Sequence, residues 1–231
     1  MEMKLTKRLK TIADLVPQGY NVADIGTDHG YLPVYLIKNR IAKKVIAVDI
    51  NEGPLENAKK TIKNYKLEDY IQTRLGSGLS PIEPGEVDIV IIAGMGGLLI
   101  RDIFLDNRNV VGTVNKFILQ PMVAQDELRK WLSQNDFKIT DEKLAKEGSK
   151  LYEILVVSKG EMKIQRDIYY EVGPKLIENK DPHIHEFIDG KLRKYTEILR
   201  TVENQDTIRA KEKLLECKEK IEELKELRGC L

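Results

Sequence analysis

With 231 residues and 42% hydrophobic content, the chain is long enough for one α/β domain with an appendage or for two small domains. Its 38 basic and 37 acidic residues leave a net charge of +1, which excludes a polycation, so any nucleic-acid surface has to be a local patch. Two isolated cysteines, Cys217 and Cys230, argue against a metal site or a disulfide framework; the charged opening MEMKLTKRLK and the lack of an apolar run of roughly 18 residues predict a cytoplasmic protein with no membrane partner.

Residues 4–16 read as an amphipathic helix, with Leu5, Leu9, Ile12, Ala13 and Val16 on one face and a basic side that includes Lys7 and Arg8. That side is either a solvated face or a contact for phosphates. Next comes the stretch from Val22 to Pro33, VADIGTDHGYLP. It reads as a buried strand, a glycine-rich turn and the start of a helix, with Gly26 and Gly30 allowing close backbone approach to a ligand. Thr27 or Asp28 is expected to cap that helix, with Pro33 in its first turn. Asp24 interrupts the apolar run, and a carboxylate there is costly unless it holds something or is held. A dinucleotide loop would need glycine at positions 28 and 31, where Asp28 and Tyr31 stand. A pyrophosphate beside Asp28 is electrostatically poor, whereas a cofactor with a sulfonium and an ammonium group, such as S-adenosyl-L-methionine, suits two acids.

Lys44–Ile50 is a second buried strand ending in Asp49 and Ile50, and Asp49 has the spacing of an acid that takes ribose hydroxyls. Asn51 is placed to cap the following helix, which buries Leu55, Ala58 and Ile62. Residues 70–75 form a third strand, followed by Gly76-Ser77-Gly78, which is either an adenine-side wall or ordinary turn chemistry. Residues 87–92 read as a central strand emptying into an Ala93-Gly94-Met95-Gly96-Gly97 loop and a helix over 98–105. A fifth strand, 116–119, ends in Gln120-Pro121. A helix over 123–134 contains Trp131 as a core residue, and two strands, 137–144 and 151–158, form a hairpin. The pattern predicts an α/β fold with a seven-stranded sheet and one reversed strand over residues 1–159. Residues 160–231 are expected to be helical, with helices over 182–202 and 207–227 joined by a turn at 203–206 in a coiled-coil-like hairpin. The charges of that segment nearly cancel, apart from local clusters such as Lys191-Arg193-Lys194.

The set DIGTDHGYLP, VDI, GSGL, AGMGG and QP, followed by a helical hairpin, resembles the bacterial tRNA (adenine-22-N1)-methyltransferases along the whole chain. The resemblance implies a Rossmann-like class I methyltransferase domain with a C-terminal coiled-coil domain, S-adenosyl-L-methionine as methyl donor, and N1 of an adenine in the tRNA D-arm region as acceptor. It puts Asp24, Gly26 and Gly30 on the first cofactor motif and Asp49 on the ribose acid. Gly76, Ser77 and Gly78 fall on the adenine-side loop, and Ala93, Gly94 and Met95 between cofactor and substrate.

Within that frame Asp28 is the first candidate to orient the exocyclic amine of the target adenine; His29 is the second, as a cofactor contact or as proton acceptor from the amine, with a purely structural place at the helix start as its alternative. Met95 is expected to flank the ring. Tyr31, Gln120 and Pro121 fall on the substrate side, although core packing is the simpler reading for Tyr31. Lys7, Arg8, Lys191 and Arg193 are expected to meet tRNA phosphates. tRNA is the expected partner, with no obligate protein partner. The same fold acting on another acceptor, and a non-enzymatic RNA-binding protein, are the alternatives.

Overall fold

Strand burial with a period of two sorts the first unit into a sheet between two helical layers. The computed structural model describes residues 3–203, 205 and 207–231. In chain order the elements are α1 (Lys7–Asp14), β1 (Tyr20–Ile25), α2 (Tyr31–Lys38), β2 (Ala42–Asp49), α3 (Glu52–Asn64), β3 (Ile71–Leu75), β4 (Ile89–Met95), α4 (Gly97–Asp106), α5 (Arg108–Val111), β5 (Lys116–Pro121), α6 (Gln125–Gln134), β6 (Phe137–Glu147) and β7 (Lys150–Lys159). The strand order is β3-β2-β1-β4-β5-β7-β6. β1 to β5 pair in parallel, and β7 is antiparallel to both β5 and β6, which makes it the reversed strand.

Alternate residues of each central strand serve opposite cores. Ala23, Ile25, Val90, Ile92, Phe117 and Leu119 pack with Ile100, Phe104 and Leu128 on one side. Val22, Ile89, Ile91 and Ile118 pack with Ile12, Leu36 and Ile62 on the other. Trp131 is half-buried and lies against Phe104 and Phe137 at the edge of the first core. Arg129 of α6 is fully buried and donates through Nε to Glu142 (2.8 Å) and through Nη2 to Glu153 (2.6 Å), fastening α6 to the terminal hairpin. Because β1 is followed by a crossover to β2 on one side and β4 lies on its other side, the order reverses at β1/β4, where a crevice forms at the carboxyl ends of the strands.

Three local expectations are corrected. β4 continues through Ala93, Gly94 and Met95, with a register shift between Ala93 and Met95, so these residues form a bulged strand end rather than a loop. β5 likewise includes Gln120 and Pro121. Gly30, not Thr27 or Asp28, is the N-cap of α2, because its φ of +69° makes the turn that a capping side chain would otherwise guide. Asn51 does sit at the N-cap of α3, but its side chain makes no capping bond; its N–H donates to Asp49 instead.

The described chain divides after Lys163, and the second unit begins at Ile164. It contains α7 (Ile168–Val172), α8 (Pro174–Glu178), α9 (Ile184–Val202) and α10 (Ile208–Cys230), with α9 and α10 packed along each other. The turn expected at 203–206 includes Asn204 and Asp206, which lie outside the described residues. α10 buries Ala210, Cys217, Leu224 and Leu227, a seven-residue repeat with one following step of three. Ile208 and Leu215, which look like part of an apolar stripe, are exposed; the heptad seam selects the other face. Glu171 on α7 is buried and accepts from Lys220 (2.6 Å), Lys191 (3.3 Å) and the Tyr195 hydroxyl, so one carboxylate joins three helices.

Candidate cofactor and substrate site

The crevice at the end of β1 is built by short-range geometry. Gly26 (φ +78°) leaves the strand, and the N–H groups of Gly26 and Thr27 both donate to Val48 O (2.8 and 3.0 Å), tying the loop to β2. A Cβ at Gly26 would lie 2.6 Å from Met95 Cε, so the end of β1 and the end of β4 touch here. A Cβ at Gly30 would press on the Ala58 backbone at 3.1 Å, which fixes how closely the start of α2 meets α3. Asp24, Gly26, Thr27, Asp28, His29, Tyr31 and Ala93 line one cleft, and Arg8 of α1 closes it.

Two acids define its electrostatics. Asp24 is only 5% exposed, and no basic side chain stands among the groups that act on its charge. Burial pushes its pKa up to about 6; the neighbouring Thr27 hydroxyl opposes this and the charge of Asp49 adds to it. The Thr27 hydroxyl is itself buried without a hydrogen-bond partner among the described residues. Asp49 is also buried, but its oxygens accept from the N–H groups of Asn51 (2.9 Å) and Asp28 (3.4 Å). Beyond it, Ile50, the residue after β2, and Leu75, the last residue of β3, expose apolar side chains. Gly76 N–H donates to Asp49 O, Gly78 has a φ of +55° against Ile103, and Ser77 is exposed. A buried carboxylate without a counter-ion, a lone hydroxyl, a second acid at the next strand end and an apolar flank fit a ligand that is a cation at one end and a nucleoside at the other.

The opposite wall is more exposed. Asp28 holds φ +50°, and its N–H bond to Asp49 keeps it there. His29 Nε2 is 3.6 Å from Asp28 Oδ2, and its ring stacks on Tyr31 at 5.3 Å. Tyr31 is exposed rather than in the core, since α2 begins with it on the outer face of the turn. Ala93 and Met95 are half-buried, and Gly94 is exposed with a φ of +82°.

The basic residues do not all behave as their sequence neighbourhood suggests. Lys7 and Arg193 are exposed. Arg8 turns inward: Nη1 donates to Gln120 Oε1 (2.6 Å), and the guanidinium lies 5.5 Å from the Tyr152 ring centroid. Gln120 is fully buried, and its Nε2 donates to Pro121 O (3.1 Å); Pro121 is buried in the sheet beside Met95. Lys191 is engaged with Glu171. Local sequence does not report these pairings, because the partners lie 112 and 20 positions away. Thr27 lines the cleft although local sequence offers it only as a helix cap; the buried context of DIGTD is the signal that marks it. No group of three or more acidic, histidine or cysteine side chains fit to hold a metal occurs among the described residues.

Comparison with known proteins gives one answer over almost the full length. The family model for tRNA (adenine(22)-N(1))-methyltransferase matches residues 22–226. The tRNA (adenine(22)-N(1))-methyltransferase of Bacillus subtilis (strain 168) is 35% identical over 243 residues, covering 98% of each chain. The crystal structure of the B. subtilis m1A22 tRNA methyltransferase superposes with a TM-score of 0.89 at 35% identity, over 98% of this chain and 100% of that one. A Streptococcus pneumoniae protein solved in complex with S-adenosyl-L-methionine superposes with a TM-score of 0.86 at 33% identity, over 97% of this chain and 100% of that one. With the sheet order, the switch-point crevice and its paired acids on the same chain, the protein belongs to the tRNA (adenine(22)-N(1))-methyltransferase family.

Proposed function

We infer that the protein transfers a methyl group from S-adenosyl-L-methionine to N1 of adenine 22 in tRNA. The observation that carries this reading is Asp24, buried beside Asp49 at the switch point, with no basic side chain among the described groups that act on its charge. When bound, S-adenosyl-L-methionine supplies a methyl group on a positively charged sulfur. Asp24 and the Thr27 hydroxyl hold the cationic amino-acid end, Gly26 and Gly30 admit it, and Asp49 takes the ribose hydroxyls. Ile50 and the Gly76-Ser77-Gly78 loop flank the adenine ring. This assignment places the methyl group toward Ala93, Gly94 and Met95.

N1 of adenine carries a free lone pair at neutral pH, so these residues have no nucleophile to create. They orient it, and near-attack positioning accounts for several kcal/mol of barrier. N1 lies on the Watson–Crick edge, so the base leaves its pair before it reacts. Asp28 accepts from the exocyclic amine and balances the positive charge that develops on the methylated ring. His29, aligned by Asp28 and Tyr31, takes up the amine side of the same contact. Lys7 and Arg193 meet backbone phosphates. Arg8 instead braces Gln120 at the end of β5. The family's tRNA substrate supports action in the cytoplasm. Residues 1–163 act as the methyltransferase domain and 164–231 as the tRNA-holding domain.

The test is methylation of unmodified tRNA transcripts, read by nucleoside mass spectrometry. The expected product is 1-methyladenosine, lost when adenine 22 alone is replaced. A different methylated nucleoside overturns the position, and no transfer to any tRNA overturns the substrate. Asp28→Ala is expected to lower turnover by about a hundredfold with cofactor affinity retained; normal turnover removes Asp28 from the mechanism.

A further inference from the structure

The loop after β5 displays two partly solvent-facing apolar side chains; Met122 also accepts from Gln120 Nε2 through its Sδ (3.4 Å), which anchors the inner side of its thioether. Met122 is 43% exposed and Val123 63%. The backbone beneath them is fastened on both sides: Met122 N–H donates to Met95 O (2.8 Å), Gly97 N–H to Val123 O (2.9 Å), and Leu128 N–H to Ala124 O (3.1 Å). A Cβ at Gly97 would come within 2.2 Å of Ala124 O, so α4 starts against this loop without space for a methyl group. Ala124 holds φ +58°, a left-handed conformation that a non-glycine residue keeps only where its surroundings enforce it. The clamped backbone leaves Val123 facing outward and Met122 exposed on the side away from Gln120. Leu98, in the first turn of α4, is exposed as well.

We propose that Met122 and Val123 are an apolar wedge that fills the base stack of bound tRNA beside adenine 22 while that base is turned toward the end of β4. The proposal rests on the function inferred above. Three observations choose the occupant. The wedge is bonded directly to Met95, at the strand end assigned to the target ring, so it stands one residue's width from the place where an extruded base arrives. The stretch Pro121-Met122-Val123-Ala124 carries no charge, which suits the face of a base and not a phosphate. Apolar side chains inserted between bases are a recurrent way to hold a stack open, and a methionine adapts to whatever base lies next to it.

The experiment compares the wild type with a Met122→Ser/Val123→Ser double variant on two transcripts. One has the native nucleotide opposite adenine 22, and the other has an abasic residue there, so that adenine 22 is already unpaired. The double variant is expected to lose about tenfold in kcat/KM on the native transcript and to stay within about twofold of wild type on the abasic one. An equal loss on both transcripts, or no loss on the native one, overturns the wedge. So does a change in the protein's mass in solution, which would make the patch a contact between two copies. If the wild type makes no 1-methyladenosine on either transcript, the inferred function itself falls, and the wedge with it.

Discussion

Asp24 in the first unit and Glu171 in the second are buried to the same extent, 5% exposed each, yet their charges are treated in opposite ways. Burial would raise the pKa of Glu171, but Lys191, Lys220 and the Tyr195 hydroxyl reverse this and hold it at about 2. Asp24 has only Thr27 to oppose burial, and its value rises to about 6. Arg129 repeats the Glu171 solution with the signs exchanged, one buried guanidinium between two glutamates. An acid whose counter-ion comes from its own chain is scaffold. An acid left without one in a crevice has the electrostatics expected of a counter-ion for a cationic ligand, which is the role proposed for Asp24.

The largest effect expected from this contrast is on Arg129. Arg129→Ala removes the guanidinium that Glu142 and Glu153 share and is expected to destabilise the first unit by about 4 kcal/mol, read by urea or thermal unfolding. Glu171→Gln leaves two lysines facing a neutral amide and is expected to cost about 3 kcal/mol in the helical unit, with cofactor affinity unchanged. A loss of cofactor binding in that variant would break the comparison. The folded value of Glu171 lies below its unfolded value, so its contribution is present above about pH 4.5 and is lost as the pH falls through about 2.

Asp24→Asn sharpens the comparison from the other side. It is expected to weaken S-adenosyl-L-methionine by about a hundredfold in calorimetry, and to stabilise the free protein at neutral pH by about 2 kcal/mol. The folded value of Asp24 lies above its unfolded value. The free protein therefore keeps the favourable protonated form below about pH 4 and loses that stability as the pH rises through about 6. The ligand wants the ionised form, so cofactor affinity is expected to rise through the same window and to lose that dependence in Asp24→Asn. A pH-independent affinity in the wild type would remove Asp24 as counter-ion. Asp49→Asn is expected to have the smallest effect, about tenfold on cofactor affinity. Asp49 is intermediate in kind, since two backbone N–H groups already satisfy part of it.

Much of the arrangement was legible before any coordinates. Apolar runs alternating with helical periods announce a parallel α/β sheet, and Asp24 stands out because a carboxylate does not belong in such a run. The reversed hairpin and the glycines at 26, 30 and 94 follow from the same local rules. Less legible was what Arg8 and Lys191 do. Each lies in a basic cluster that reads as a phosphate surface, and each is engaged by a partner that only folding brings near, Gln120 and Glu171. Met122 and Val123 were not legible at all: they lie in the loop before α6, and only the clamp at Gly97 and the φ of Ala124 show how that loop is held.

The amino-acid sequence by itself determined the strand and helix periods, the glycine turns and the acids at the two strand ends, because each depends on residues within one or two turns of chain. Tertiary structure alone decided which buried charges find a partner within the fold. A buried ion's fate is set by whatever lies within a few ångströms of it, and in this protein those neighbours come from distant parts of the chain.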